Sequence, residues 1–430
     1  MKTSAVLTNS FLITVLSGVP IAFLLGIVSL SYLVLVAGMP AAGIGAYIFY
    51  GLNNSAYAAL PFFILTGILM TKTRITDDFI AFADMLVGRL PGSLAQINIV
   101  VSILFAGISG AAVADTAAMG SILIPMMKKQ GYTAEYSAAI TTASSVIGPI
   151  IPPSAIMVVY GSVTGIPIET LFMAGIIPGL LIGAGLMLMA MFFAVRDKHP
   201  RRTEAFVRER AHHVIKRAGI GLTLTAIILA GLLSHIFTPA EAAVMACIYV
   251  IWMGVLVLKT LTIKDIGESI IESAVTTSAI LLVVSSANLF GVVLTSEGIP
   301  EKIVEFISRA ADNRYTFLLF VNVFLVFLGM VMEPSAIIVI LAPVLLPMAL
   351  RFGIHPIHFS LVVLVNANIG LVTPPLGMCL FTAAPIARVK YERIALNAIP
   401  FMAMEIAVLM FMTYFPELIL LIPRGAGLIT

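Results

Sequence analysis

Two proline pairs, each set among small polar residues, are where this chain could do chemistry. Around Pro152-Pro153 stand Ser144, Ser145, Gly148, Ile151 and Ser154; around Pro374-Pro375 stand Asn366, Asn368, Gly370 and Thr373. Both clusters interrupt stretches apolar enough to cross a bilayer, and proline and glycine end a helix where they fall. Backbone freed inside a membrane needs partners. Its unwound carbonyls and nearby hydroxyls are ready ligands for Na+, while the N-terminus of the helix that restarts attracts a carboxylate. Two more polar spots precede the clusters: Ser109-Gly110 with Asp115 and Thr116 behind it, and Gly329 with Glu333 behind it. Carboxylates inside a membrane are costly and usually functional. Asp115 or Glu333 could ligate a cation, carry a proton, or pair with a hydroxyl such as Thr116 to hold the local shape. For any one Ser or Thr the plainer role is a hydroxyl bonded to the carbonyl one turn back. The clustering beside both proline pairs favours the ion reading.

The two clusters are copies. Adding 222 carries Leu123 to Leu345, Pro125 to Pro347, Gly131 to Gly353, Gly148 to Gly370 and the first proline pair onto the second without a gap. Gly107 falls on Gly329 by the same shift. Hydrophobic segments broken by Gly and Pro at matching places in two halves point to a secondary transporter's binding site. Composition sets the class: 60% of the residues are hydrophobic and 10% charged, against roughly 25% charged in a soluble domain, so this is a polytopic integral membrane protein. Nucleic acid is not an expected partner. Cys247 and Cys379 lie in apolar segments, with no metal-ligand spacing and no disulfide framework, and read as small core residues. The apolar N-terminus reads as a retained first span rather than a signal peptide.

The elements that position these residues follow from span length. At about 20 apolar residues per crossing, full spans fall near 8–36, 54–71, 169–195, 218–236, 240–258, 268–292 and 394–420, with broken helices at 134–163 and 356–384. The segments 92–129 and 315–351 have the middles GISGAA and GMVMEPS. Each is either two spans joined by a tight turn or a re-entrant hairpin whose tip stops near the midplane, a backbone that survives only when buried in protein or lining a cavity. With the N-terminus in the cytoplasm, all but five of the 24 Lys and Arg stay inside; Lys302, Arg309, Arg314, Arg351 and Arg424 lie outside. So strong a bias sets the orientation. The stretch 217–258 is too long for one crossing, and two crossings there turn the second half upside down. The expected fold is an all-α polytopic membrane protein built as an inverted repeat. Residues 1–195 form the first half, 196–217 a basic cytoplasmic linker and 218–430 the second half, with two re-entrant hairpins and two broken helices. The amphipathic stretch 76–87 reads as an interfacial helix bracing the bundle.

Other function classes lack their machinery. Gly107-Ile108-Ser109-Gly110 resembles the nucleophile motif of rhomboid intramembrane serine proteases, but such a serine needs a base within hydrogen-bond reach, and His235, His355 and His358 fall at outer ends of spans. The run GILMTKT at 67–73 lacks the second glycine of a phosphate loop. A channel would not need two inverted, proline-broken sites.

Five motifs taken together carry a resemblance: ISGAAVADTAAMGSILIPMMKKQGY, GPIIPPS, IFTPAEAA, GMVMEPSAIIVILAPVLLPM and GLVTPPLG. They resemble the large membrane subunit of tripartite ATP-independent periplasmic (TRAP) transporters over nearly the whole chain. The resemblance implies a Na+-coupled elevator of the ion-transporter superfamily in the bacterial inner membrane, not an enzyme, with two or more Na+ as coupling ions. It also implies a small four-helix membrane subunit and a soluble periplasmic substrate-binding protein as partners, and an organic acid such as a C4-dicarboxylate or a sialic acid as cargo. Matched residue by residue, it implies one Na+ site at Ser109, Ser144, Ser145, Gly148 and Ile151. A second lies at Gly329, Glu333, Asn366, Gly370, Thr373 and Gly377. Substrate contacts fall at Ser109, Gly110, Ala111, Pro153, Ser154, Pro334 and Pro375, with Asp115, Thr116 and Asn368 in support. Ala111 stands where the family often has a second small hydroxyl, and Glu333 where Asp is familiar.

Overall fold

The computed structural model describes residues 21–73, 75–199, 208–234, 236–298, 313–330, 332–375 and 377–429. Among the described residues the fold is all helical, with no strand. The first half runs α1 (Ile21–Leu35), α2 (Ala41–Leu52), α3 (Ala59–Lys72), α4 (Ile75–Val87), α5 (Ser93–Ser109), α6 (Ala112–Lys129), α7 (Ala134–Ser145), α8 (Ala155–Thr164) and α9 (Ile168–Arg196). The second runs α10 (Arg208–Leu233), α11 (Pro239–Trp252), α12 (Ile263–Ser296), α13 (Arg314–Gly329), α14 (Pro334–Arg351), α15 (Pro356–Ile369), α16 (Met378–Ala387), α17 (Tyr391–Tyr414) and α18 (Pro416–Gly425). Starts are set by side chains that satisfy the first free N–H groups. Thr133 Oγ1 accepts from Tyr136 N at 3.2 Å, Asn313 Oδ1 accepts from Tyr315 N at 2.9 Å, and reciprocal capping boxes form at Thr238 with Glu241 and at Thr262 with Asp265.

Among the described residues six stretches are long and apolar enough to cross a membrane: α9, Val214–Leu233 of α10, α11 with its π-helical extension to Val257, α12, α14 and α17. α12 has 34 residues, a length of about 51 Å at 1.5 Å per residue. Large apolar side chains such as Phe23, Phe49, Phe192, Ile271 and Phe327 face outward, as a lipid-facing surface requires.

Three elements depart from the sequence expectation. Residues 41–52 were not expected to be regular, yet form α2, which packs on α12; tertiary contact overrides the poor helix propensity of its glycines. Part of the basic linker is helical: α10 begins at Arg208 and runs unbroken into the span, because nothing between Arg208 and Arg217 breaks a helix. Arg217 Nη1 lies 3.6 Å from Asp78 Oδ1, joining α10 to α4, the amphipathic helix whose Phe79 and Ala83 are buried. The last expected crossing, 394–420, ends at Tyr414, and Pro416 opens a separate helix. Of the first expected span, 8–36, only the part from Ile21 lies within the described residues.

The core is built around the broken helices. Every residue of α7 from Tyr136 to Ser145 and of α15 from Ile357 to Ile369 is buried; α15 is largely apolar on all sides, whereas α7 carries hydroxyls such as Thr141, Ser144 and Ser145 that bond within the protein. Rings of Tyr136 and Phe401 (5.8 Å) and of Phe193 and Phe401 (5.5 Å) hold α7, α9 and α17 together. The interhelical contacts come in related pairs. α6 packs on α16 as α14 packs on α8; α7 packs on α17 as α15 packs on α9; α1 packs on α12 as α11 packs on α3. A shift of about 222 residues turns each first partner into its counterpart.

Each α-helical hairpin turn rests directly on a break. Gly110, between α5 and α6, has φ +61°, and a Cβ there would stand 2.9 Å from Pro153 O. At the end of α13, Gly329 meets Gly370 backbone to backbone: a Cβ at residue 370 would stand 2.5 Å from Gly329 Cα. Gly370→Ala is therefore expected to cost about 1–3 kcal/mol through overpacking of backbone that cannot yield. Gly267→Ala, with open space around it, should be neutral or stabilising by about 0.5–1 kcal/mol. Thermal unfolding of the detergent-purified protein measures both, and equal melting of the two variants would refute the close-contact account.

Candidate functional site

At the first break α7 stops after Ser145, the chain turns through 146–150, and α8 restarts at Ala155. Pro152-Pro153 is a cis peptide. Ser154 caps the restart: its Oγ donates to Pro149 O at 2.6 Å and accepts from Met157 N at 3.4 Å. The Gly110 turn brings the N-termini of α6 and α8 together, since a Cβ at residue 110 would also lie 3.4 Å from Ala155 N. Asp115 and Thr116, in the first turn of α6, are fully buried. The carboxylate of Asp115 lies over Gly148, where a Cβ would come within 2.0 Å of Asp115 Oδ2. Only glycine lets the acid reach the unwound backbone.

Hydroxyls at this break are threaded into a buried network. Ser145 Oγ donates to Thr141 O (2.7 Å), and Ser144 Oγ donates to Asn98 Oδ1 (3.1 Å) while lying 3.1 Å from Thr141 O. Ser102 Oγ donates to Ser144 Oγ (2.9 Å), and Asn98 Nδ2 donates to Thr141 Oγ1 (2.6 Å). Thr116 Oγ1 donates to Ala112 O at 2.9 Å. The plain bond to the preceding turn is thus present, but it uses the hydroxyl hydrogen and leaves oxygen lone pairs for a cation.

The second break repeats the plan with different side chains. α15 ends at Ile369, a 3-10 turn covers Gly370–Val372, and α16 restarts after Gly377, whose φ is +53°. Pro374-Pro375 is also cis. Thr373 Oγ1 donates to Ile369 O at 2.8 Å. Asn366 Nδ2 donates to Asn322 Oδ1 at 2.9 Å. The Oδ1 atoms of Asn366 and Asn368 are buried without a hydrogen-bond partner among the described residues. Glu333 caps α14, Oε1 accepting from Ser335 Oγ (2.8 Å) and Oε2 from Ala336 N (3.4 Å). Between tip and break lies a cavity of about 50 Å³, lined by Gly329, Met330, Met332, Glu333, Gly370, Leu371, Gly377 and Met378. That is room for a dehydrated ion or water.

Most of the expected residues are thus gathered at two places. Ser144, Ser145, Gly148 and Ile151 share the first break with Gly110, Pro153, Ser154 and Asp115; Gly329, Glu333, Asn366, Asn368, Gly370, Thr373 and Gly377 share the second. Ala111 is exposed at the first tip, Pro334 is buried as the first residue of α14, and Pro375 is exposed, its carbonyl accepting from Tyr391 Oη at 2.7 Å. The side chain of Ser109 lies outside the described residues.

Sequence reading missed four contributors. Asn98 and Ser102 on α5, and Asn322 on α13, reach the breaks from the hairpin arms; their signal is a polar residue inside an apolar run. Glu405 on α17 is fully buried, and neither carboxyl oxygen has a hydrogen-bond partner among the described residues. Glu405 was legible as a lone acid in the middle of an apolar 24-residue helix.

Comparison with known proteins places this architecture. Residues 8–418 match the family model of the tripartite ATP-independent periplasmic transporter, DctM component. This chain belongs to that family. Its DctM-family relatives include the sialic acid TRAP transporter large permease SiaM of Vibrio cholerae, 35% identical over 95% of each chain. The C4-dicarboxylate TRAP transporter large permease DctM of Rhodobacter capsulatus is 33% identical over 96% of this chain and 97% of that one. The isethionate TRAP transporter permease DctMQ of Oleidesulfovibrio alaskensis is 36% identical, covering 96% of this chain and 65% of its own longer length. These relatives are transporter permeases, not enzymes. The fold is shared with two solved transporters: YdaH of Alcanivorax borkumensis (TM-score 0.52, 16% identity, 90% of each chain) and MtrF of Neisseria gonorrhoeae (TM-score 0.55, 12% identity, 89% of this chain and 85% of that one).

Glu405 gives a direct test of the site's energetics. A buried carboxyl with no hydrogen-bond partner destabilises the fold, so Glu405→Met should raise stability by about 1–3 kcal/mol. The readout is the melting temperature in detergent; a lowered value would mean that the carboxyl is held by a favourable partner.

Proposed function

We propose that this chain is the cargo-carrying membrane subunit of a secondary importer, which draws a small organic acid across the bacterial inner membrane on a Na+ gradient. The observation that carries this reading is the pair of breaks, each met by a glycine turn at which helix ends converge. At the first, the N-termini of α6 and α8 lie together; at the second, those of α14 and α16 flank the small cavity. Converging N-termini suit a carboxylate. The hydroxyls and amide oxygens of Ser144, Ser145, Asn366 and Thr373, with the unwound carbonyls at Gly148, Ile151, Gly370 and Gly377, suit two or more Na+ ions.

The related contact pairs support an inverted repeat, and with it an elevator. α5–α8 and α13–α16 would move as a transport unit against a scaffold of α1, α3, α11 and α12. Orientation has its own support. Lys72 pairs with Glu268 (3.1 Å) and Arg393 Nη1 lies 3.6 Å from Glu135 Oε1. Lys128 Nζ donates to Ala387 O at 3.0 Å. The second and third contacts gather the basic ends of α6 and α17 about the turn between α6 and α7, and by the positive-inside rule such basic ends support a cytoplasmic face there, with a cytoplasmic N-terminus as part of the proposal. Arg314 begins α13 and Arg351 ends α14, away from the tip between them.

Membership of a tripartite family supports two partners, a small membrane subunit of four helices and a periplasmic substrate-binding protein. The relatives' cargoes support a C4-dicarboxylate, a sialic acid or a similar carboxylate as substrate. The deciding experiment is uptake into proteoliposomes holding both membrane subunits, with the binding protein and a candidate acid, with and without an inward Na+ gradient. Uptake that needs both gradient and binding protein sustains the proposal. Uptake driven by a pH gradient alone, or without the binding protein, puts a proton-coupled or independent carrier in its place. In the same assay Thr373→Ala and Ser145→Ala should each raise the Na+ concentration for half-maximal uptake by about tenfold, the loss of one contact to a charge. Unchanged Na+ dependence in both would remove the site assignment.

A further inference from the structure

A second, far larger cavity, of about 1420 Å³, lies away from the tips. One wall is the turn after α2, with Asn53 and Asn54, and the last third of α12, with Asn288 and Thr295; the facing wall is the end of α8, with Ser162, and the last turns of α14, ending at Arg351. Asn54 Nδ2 donates to Ser162 O at 3.0 Å across the seam. The cavity therefore stands between helices of the proposed scaffold and helices that carry the tips, at the face opposite the Lys72–Glu268 pair.

Its chemistry is one-sided. Among the described lining residues Arg351 is the lone charged group; no Asp, Glu or Lys joins it. Arg351 makes no ion pair with a described residue. Arg351 is exposed at the rim of this space, and a guanidinium with no ion pair among the described residues draws anions to the cavity and offers a carboxylate two parallel N–H donors. The amides and hydroxyls around it suit the hydroxyls or second carboxylate of a polar acid. The volume exceeds the 300–1,000 Å³ or so of a close-fitting ligand pocket, so an acid enters with water around it. α14 links this space to the second break. From Glu333 to Arg351 is about 27 Å along the helix, so one element carries the cap of the small cavity at its start and the cation of the large one at its end.

We propose that this cavity is an antechamber for the anionic cargo, a small mono- or dicarboxylate, and that Arg351 selects for negative charge before the acid reaches the tips. The identity of the ligand rests on the organic-acid reading above; the charge selection does not.

The test reads the cavity first without turnover. Cys247 and Cys379 are buried, so Asn288→Cys supplies a reactive thiol in the cavity. In membranes holding the assembled transporter, its reaction rates with an anionic sulfonate and a cationic ammonium methanethiosulfonate are compared. Adding Arg351→Gln should lower the anion-to-cation rate ratio by about tenfold, and Arg351→Lys should preserve it. In uptake by the assembled transporter, Arg351→Gln alone should raise KM for the acid by about tenfold with kcat and Na+ dependence unchanged. An unchanged rate ratio, or an unchanged KM, overturns the antechamber. A variant altered only in the binding-protein concentration it needs also overturns it, making Arg351 a docking residue. If the unaltered protein shows no Na+-driven acid uptake, the functional reading fails instead, and the rate ratio alone decides the cavity's charge selection.

Discussion

Everything in this molecule answers to one constraint: an unwound backbone in hydrocarbon must find its partners within the protein. Two helices are interrupted at Pro152-Pro153 and Pro374-Pro375, and the fold buries the helix that leads into each break, leaving Pro375 exposed at the second. α7 and α15 are buried on all sides. The hairpin turns then close over the breaks through glycine, because only backbone lying on backbone brings helix ends near enough to share their dipoles. Gly110 on Pro153 closes the first break and Gly329 on Gly370 the second, contacts alike in kind but at positions that the 222-residue shift does not relate.

The copies share a backbone plan, not side chains. The first break is wired by hydroxyls, with Ser102, Ser144 and Asn98 in one chain of bonds; the second is wired by amides, with Asn366 held by Asn322. Acids differ as well. Asp115 leans over the unwound turn at Gly148, whereas Glu333 spends both oxygens on the start of its own helix. Duplication supplied a common frame, and the polar groups diverged within it.

Much of this was legible in the chain. The 222-residue shift, the proline pairs and the glycines facing them are local patterns, and the helices start and stop where those patterns say. What was not legible depends on distance in sequence. Asn98 sits among apolar neighbours and meets Thr141 only when α5 and α7 pack. α2, rich in glycine, reads as a loop until α12 gives it something to lie on. Glu405 is a different case: its signal was plain, but attention to the breaks passed over an acid on an unbroken helix. Glu333 offered several roles by type, and capping, visible only with its φ/ψ and hydrogen bonds, was not among those drawn from sequence.

The length of α12 has a consequence of another kind. Its first turns carry Lys264, Asp265, Glu268 and Glu272, which belong in headgroups or water, so the apolar remainder, about 33 Å from Val275 to Ser296, is what the lipid must cover. At its far end Tyr32 donates to Glu297, fastening it to α1. A helix held at both ends answers a thicker or thinner bilayer by changing its lean. That lean moves the wall bearing Asn288 and Thr295, so the acyl-chain length of the surrounding lipid becomes a dial on the width of the space beside it.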